Sequence, residues 1–271
     1  MTSLLGMGWT PPVGVRAAFT LRTGGVSQAP YDSFNLAAHV DDDTAAVATN
    51  RGLLRTTAGL PGEPAWLQQV HGAAVTLLAP TAGNAASAGD MAYAPPTADA
   101  SVTTARDRVC AIQVADCLPV LLARRDGSAV AAAHAGWRGL AAGVLEATVA
   151  AICARQEPVL DGRQSQGGQP AAASDLVAWL GPAIGPAHFE VGDEVRAAFV
   201  DQAAAAARAF VRNSRGRWQC DLPMLARQRL AAVGVSDVAG GDWCTYADPA
   251  RFYSYRRDGR CGRMAALIWR T

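Results

Sequence analysis

Asp126-Gly127 separates two apolar runs, 119–123 and 128–133, and a dipeptide of this kind between apolar runs is a strong two-residue hairpin turn. The turn commits this part of the chain to an antiparallel pair with a fixed register. With these two residues at the tip, Pro119 faces His134 and Cys117 lies two residues beyond. Directly opposed Cβ atoms in such a pair are about 5 Å apart and diagonal ones about 7–8 Å. Cys117 and His134 therefore emerge at the same end of the hairpin, within reach of one metal ion or of each other.

The rest of the chain supplies the elements around this hairpin. Residues 13–21 read as a strand running into the Gly24–Gly25 turn, and 44–57, preceded by three acidic residues, read as the first helix. Strands are expected at 66–70, 73–78, 98–103, 109–114, 176–180 and 264–269, and helices at 138–154, 193–206 and 222–233. Residues 80–96 and 161–174, rich in small and polar residues, read as surface loops. The expected architecture is a single mixed α/β (α+β) domain over 1–271, with mixed sheets flanked by helices.

Composition excludes several classes. The chain has 271 residues, half of them apolar, with a formal net charge of +1, which argues against a nucleic-acid binder. No segment approaches the roughly 18 uninterrupted apolar residues of a membrane span. Residues 1–12 lack the basic and apolar regions of a secretory signal, so a cytoplasmic location is expected and the six cysteines are read as reduced thiols. CxxC and HExxH are absent. All 24 basic residues are arginine. Without lysine there is no Schiff-base, pyridoxal-phosphate or Walker-type chemistry, and a phosphate must be held by arginine forks, backbone N–H groups or a metal.

Reactive residues concentrate in four segments: Gln69-Val-His71-Gly72, Ala115-Asp116-Cys117-Leu-Pro119, His134-Ala-Gly136-Trp-Arg138-Gly139 and Gly181-Pro-Ala-Ile-Gly185. Gly136 and Gly139 allow close backbone approach to a ligand, and the helix expected after them offers free N–H groups beside the Arg138 fork. His71 taken alone reads as a packed structural histidine, and Gly181 to Gly185 as a turn. Cys110, Cys153, Cys220 and Cys261 have no reactive company and read as inert thiols.

The same segments carry a resemblance. HAGWRG at 134–139 and ADCLP at 115–119, with TLRTGGVS at 20–27, PYDSFNL at 30–36, Asn50-Arg51, QVHG at 69–72, GPAIG at 181–185, FEVG at 189–192 and FYSYRR at 252–257, resemble the YfiH family nearly end to end. This family is also called the laccase-domain, polyphenol oxidoreductase-type or peptidoglycan editing factor family. The resemblance implies a fold similar to that of cytotoxic necrotising factor, and a zinc ion held by His71, Cys117 and His134, with copper as an alternative at the same place. It also implies phosphorolysis of adenosine, inosine, guanosine and methylthioadenosine, and deamination of adenosine.

On this reading Cys117, His134, Arg138 and Asp116 are the catalytic candidates, and Arg51, Gln69, Gly136 and Arg138 bind nucleoside or phosphate. Arg22 and the Arg256–Arg257 pair are further phosphate candidates, and Asp116 or Glu190 the proton shuttle. His188 stands where the family usually has tyrosine. Two alternatives remain open: a Cys117-dependent hydrolase of a peptidoglycan-precursor amide, and a copper polyphenol oxidase. A true multicopper oxidase needs on the order of ten histidine ligands, and this chain has four. Oligomeric state is not legible.

Overall fold

The computed structural model describes residues 3–80, 94–154 and 171–271. The loops expected at 80–96 and 161–174 lie largely outside these residues. In chain order the elements are β1 (Val15–Phe19), α1 (Thr44–Ala58), β2 (Val75–Leu77), β3 (Ala100–Thr103), β4 (Val109–Val114), β5 (Leu118–Arg124) and β6 (Val130–Ala135). There follow α2 (Trp137–Ala141), α3 (Val144–Cys153), β7 (Leu176–Leu180), β8 (Glu190–Val191), α4 (Asp193–Val200), β9 (Phe210–Arg212) and β10 (Trp218–Cys220). The chain closes with α5 (Leu222–Ala232), β11 (Asp237–Gly240), α6 (Tyr255–Asp258) and β12 (Met264–Arg270).

A six-stranded sheet, ordered β11-β7-β5-β6-β3-β2, forms the centre. Its outer pairs are parallel and its inner pairs antiparallel, so the sheet is mixed. The alternation along β5 explains its unbroken apolar run. Val120 and Leu122 pack under α3, α4 and α5 on one face, and Leu121 and Ala123 pack against Ile112, Met264 and Ile268 on the other. Those last residues belong to a three-stranded sheet ordered β1-β12-β4. Its far face is covered by Phe34, Leu36 and Leu54, the last on α1. The layers thus run helix, sheet, sheet, helices. A small sheet, β8-β10-β9, lies outside this stack in the order of pairing. No helix among the described residues is long and apolar enough to cross a membrane.

Local chemistry sets most boundaries. The Asp43 carboxylate accepts from the Ala46 N–H and starts α1, and Asp221 caps α5 through the Met224 N–H. The hairpin forms in the expected register, with Leu118 paired to Ala135 and Pro119 to His134.

Three expectations are corrected. The helix expected over 138–154 is two helices, because Ala142 ends the first and Gly143 turns left-handed at φ 90° before α3 begins. The strand expected at 66–70 is reduced to isolated bridges at Ala65 and Gln68. There the Gln69 side chain does a strand's work: its Nε2 donates to Gln113 O, and its Oε1 accepts from the Gln113 N–H. The helix expected over 193–206 also ends early, at Val200.

Candidate metal and catalytic site

The hairpin end, the 70–72 loop and the start of α2 converge on three side chains. The ligand atoms of His71, Cys117 and His134 all lie within 4.8 Å of one another. His71 is exposed, Cys117 half-buried and His134 buried, so the cluster opens to solvent on the His71 side. The two imidazoles meet edge to face, with centroids 4.7 Å apart.

The residue that assembles this cluster is Asp99, which the sequence reading passed over. It is fully buried just ahead of β3. Its Oδ1 accepts from the His71 N–H at 2.9 Å and from His134 Nδ1 at 2.8 Å. Its Oδ2 accepts from the Gly72 N–H at 2.7 Å and the Val70 N–H at 3.2 Å. One carboxylate therefore bends the 70–72 loop into place, with His71 held at φ 61°, and orients the His134 ring through Nδ1. A charged residue inside the apolar stretch 98–103 was the available signal, since a carboxylate is almost never fully buried unless paired.

Gly136 explains how thiol and imidazole come so close to the turn. A Cβ there would lie 2.8 Å from Cys117 Sγ and 3.0 Å from His71 Nδ1. At Gly139 it would lie 2.8 Å from Gly72 O. Both glycines make room for the cluster's own loops.

The electrostatics follow from this packing. Burial alone would raise the Cys117 thiol, but the charge and hydrogen bonds of His134 and His71 outweigh it and bring it down to about 6. Burial would likewise lower His134, and the Cys117 and Asp99 charges overcome it and raise it to about 9. Thiolate and imidazolium are mutually stabilised at neutral pH. Burial opposes ionisation of Asp99 too, yet the His134 and backbone N–H donors hold it below the usual carboxylate range.

Metal-free protein is accordingly expected to be alkylated by iodoacetamide at Cys117 with a rate midpoint near pH 6. Buried Cys110 and Cys220, each pushed up to about 12, should stay unmodified. Mass mapping across a pH series reads this, and a Cys117 midpoint near the ordinary 9.0 would contradict it.

The other expected site residues separate into distinct jobs. Asp116, at φ 91°, has both carboxylate oxygens engaged: Oδ1 by Thr245 Oγ1 at 2.5 Å, and Oδ2 by Ser254 Oγ at 3.0 Å and the Arg256 N–H at 2.7 Å. It anchors the 245 and 254–256 segments to the turn before Cys117. Glu190 is tied to Asn213 and Arg215. Both bonds to Glu190 end on Oε2, and its Oε1 has no hydrogen bond among the described residues. The Gln69 amide is committed to Gln113. Arg257 spends all its donor nitrogens on Thr245 O, Tyr246 O, Phe252 O and Asp258. Arg22 is bound to Asp32 and Pro249 O.

Arg256 donates from Nη1 to Glu190 O and lies over Phe189. Arg138 is exposed over Trp137, 4.5 Å from the ring centroid, and α2 is only five residues long. Arg51 donates from Nε to Leu36 O. His188 stacks on Tyr246 with centroids 4.5 Å apart, and its Nδ1 lies 3.5 Å from Cys244 Sγ.

The family described as multi-copper polyphenol oxidoreductase laccase matches residues 16–271. The chain is 49% identical over 270 residues to purine nucleoside phosphorylase PA4543 of Pseudomonas aeruginosa, covering 99% of both chains. It is 46% identical over 269 residues to purine nucleoside phosphorylase YfiH of Escherichia coli, again over 99% of both. Its fold matches Neisseria meningitidis protein NMB0706 with a TM-score of 0.84 at 43% identity, covering 99% of both chains. It matches YlmD from Geobacillus stearothermophilus with a TM-score of 0.85 at 32% identity, covering 99% of this chain and 96% of that one. From residue 16 to the last residue, the chain belongs to the multi-copper polyphenol oxidoreductase laccase family.

Proposed function

We propose that this protein is a zinc-dependent purine nucleoside phosphorylase acting on inosine, adenosine, guanosine and methylthioadenosine, with adenosine deamination as a second activity. The observation that carries this reading is the solvent-facing His71–Cys117–His134 cluster in a chain whose relatives over its full length are named purine nucleoside phosphorylases. One thiolate and two imidazoles suit zinc or copper and disfavour magnesium, and three protein ligands leave a position for a water or substrate atom. A bound zinc supplies a Lewis acid and a water with a pKa of about 7.

The chain's own residues do the rest. His71, Cys117 and His134 would hold the ion. Asp99 keeps the His134 imidazole oriented through Nδ1, and Asp116 fixes the turn that presents Cys117. In phosphorolysis a phosphate oxygen bonds to ribose C1′ as the C1′–N9 bond breaks. The bonding pair leaves with the purine, which takes up one proton, and ribose 1-phosphate is the other product.

A second reading rests on one observation. Cys117, His134 and Asp99 are arranged as thiolate, imidazole and orienting carboxylate, the order found in cysteine hydrolases. Such an enzyme would open a peptidoglycan-precursor amide through an acyl-thiol intermediate.

The test is a nucleoside panel with and without phosphate on protein of measured metal content. Base release that saturates with phosphate and yields ribose 1-phosphate, with about one zinc per chain, is the expected result. Cleavage of a muramyl-amino-acid amide without any phosphate-dependent base release would install the hydrolase instead.

A further inference from the structure

A second thiol–imidazole contact lies outside the His71–Cys117–His134 cluster. Cys244 Sγ is 3.5 Å from His188 Nδ1 and accepts the Gly185 N–H at 3.2 Å. Both residues are half-buried, and the His188 ring lies on Tyr246 with centroids 4.5 Å apart. The thiol thus has a base on one side and a backbone donor on another, and neither residue is shut off from solvent.

The contact is held from both sides. Gln219 Nε2 donates to Pro186 O at 2.8 Å and to Ala187 O at 2.9 Å, which braces the turn that carries His188. Arg257 Nη1 donates to Thr245 O at 2.8 Å and to Tyr246 O at 2.9 Å, which braces the segment that carries Cys244. The Thr245 N–H donates to Ala183 O and joins the two segments. Thiol and imidazole are therefore preorganised before any reagent arrives.

No other thiol outside the metal cluster has this company among the described residues. Cys110, Cys220 and Cys261 are buried. Cys153 is half-buried with no imidazole beside it, and burial pushes its thiol up. An ordinary thiol is only a few per cent ionised at neutral pH, and a base that takes its proton makes it a better nucleophile.

The pair also borders the turn before Cys117. Ile184, next to Gly185, donates its N–H to Asp116 O at 2.9 Å, and Thr245, next to Cys244, donates Oγ1 to Asp116 Oδ1 at 2.5 Å. A Cβ on Gly185 would lie 3.1 Å from Cys244 Cβ and 3.2 Å from Sγ, so the Gly185 side of the sulfur is filled. An oxygen added to the sulfur has to replace the His188 contact or part the two segments, and either change loosens the bracket that holds Asp116.

We infer that Cys244 and His188 form an oxidation site for hydroperoxides, and that its product loosens the bracket around the Asp116 turn. The Cys244 thiol gives its proton to His188 Nδ1, and the sulfur attacks one peroxide oxygen. The O–O bond breaks as the S–O bond forms. Sulfur is oxidised to a sulfenic acid, and the peroxide is reduced to water or an alcohol once its leaving oxygen takes the proton from His188. The step is independent of the nucleoside chemistry above.

The test treats the purified protein with hydrogen peroxide at neutral pH, traps sulfenic acids with dimedone and follows all six cysteines by mass mapping. Cys244→Ser, His188→Tyr and His188→Gln are treated alongside, with melts of the untreated proteins to confirm folding. Tyrosine keeps an aromatic ring against Tyr246 and removes the imidazole, and glutamine removes both. In the parent, Cys244 is expected to be labelled well ahead of Cys153. In both His188 variants its rate should fall roughly tenfold, because the base is lost. Peroxide without dimedone should lower the melting midpoint of the parent by roughly 2–4 °C more than that of Cys244→Ser, the loss of one hydrogen bond. A Cys244 rate no greater than that of Cys153, or one unchanged in both His188 variants, would overturn the oxidation site. Equal midpoint changes in the parent and Cys244→Ser, with Cys244 oxidised, would overturn the coupling to the Asp116 turn.

Discussion

Replacing Cys117 by alanine is expected to lower kcat/KM by on the order of a thousandfold or more, because ligand set and thiolate disappear together. Zinc content, read by atomic emission, should fall with it. Cys110→Ala and Cys153→Ala should stay close to the parent in both measurements. Cys110 is fully buried in the core, where burial pushes its thiol up to about 12. Cys153 ends α3 and lies outside the three-residue cluster. The Cys110 variant should cost about 1 kcal/mol through a small cavity. Equal activity losses in all three variants would show that the thiols matter for packing and not for chemistry.

Asp99→Asn is expected to reach further than its distance from substrate suggests. An amide has one acceptor oxygen, whereas the native carboxylate receives four donors across two oxygens. At least one buried N–H then loses its partner and the amide nitrogen faces donors, a cost of about 2–4 kcal/mol. With His134 no longer oriented, zinc affinity should drop roughly 10–100-fold.

Denaturant melts read the first effect, and competition with a chromophoric chelator reads the second. The pH dependence has a definite sign. A carboxyl held below its ordinary 3.8 contributes stability that is full above that value and is lost as the pH falls through its lower folded value. The parent should lose this increment on the acid side, and the asparagine variant should not. A variant with parental stability and zinc affinity would reduce Asp99 to a packing residue.

What could be read from the sequence was what is decided locally. The Asp126-Gly127 turn determines which residues face each other across two strands, so the Pro119–His134 pairing followed from numbering alone. The Asp43 carboxylate acts within three residues of itself, and the start of α1 was legible for the same reason. His71 was legible only through resemblance, because its partners lie 28 to 63 residues away and no local rule reaches that far.

The helix break at Gly143 escaped for a different reason. A glycine inside a helical pattern signals only a modest cost, and nothing local announces that Gly143 turns left-handed between α2 and α3.

The sequence by itself determined the hairpin, the layer-forming apolar strands, the thiolate–imidazole pair at one strand end and the absence of lysine chemistry. Only the tertiary structure decided what each charged side chain does. Arg257 is spent on carbonyls, Asp116 on hydroxyls and an N–H, and Asp99 on a loop it meets from another strand. A charge's role depends on which donors and acceptors the fold brings within about 3 Å. Those partners are distant in the chain, so that choice was made by packing.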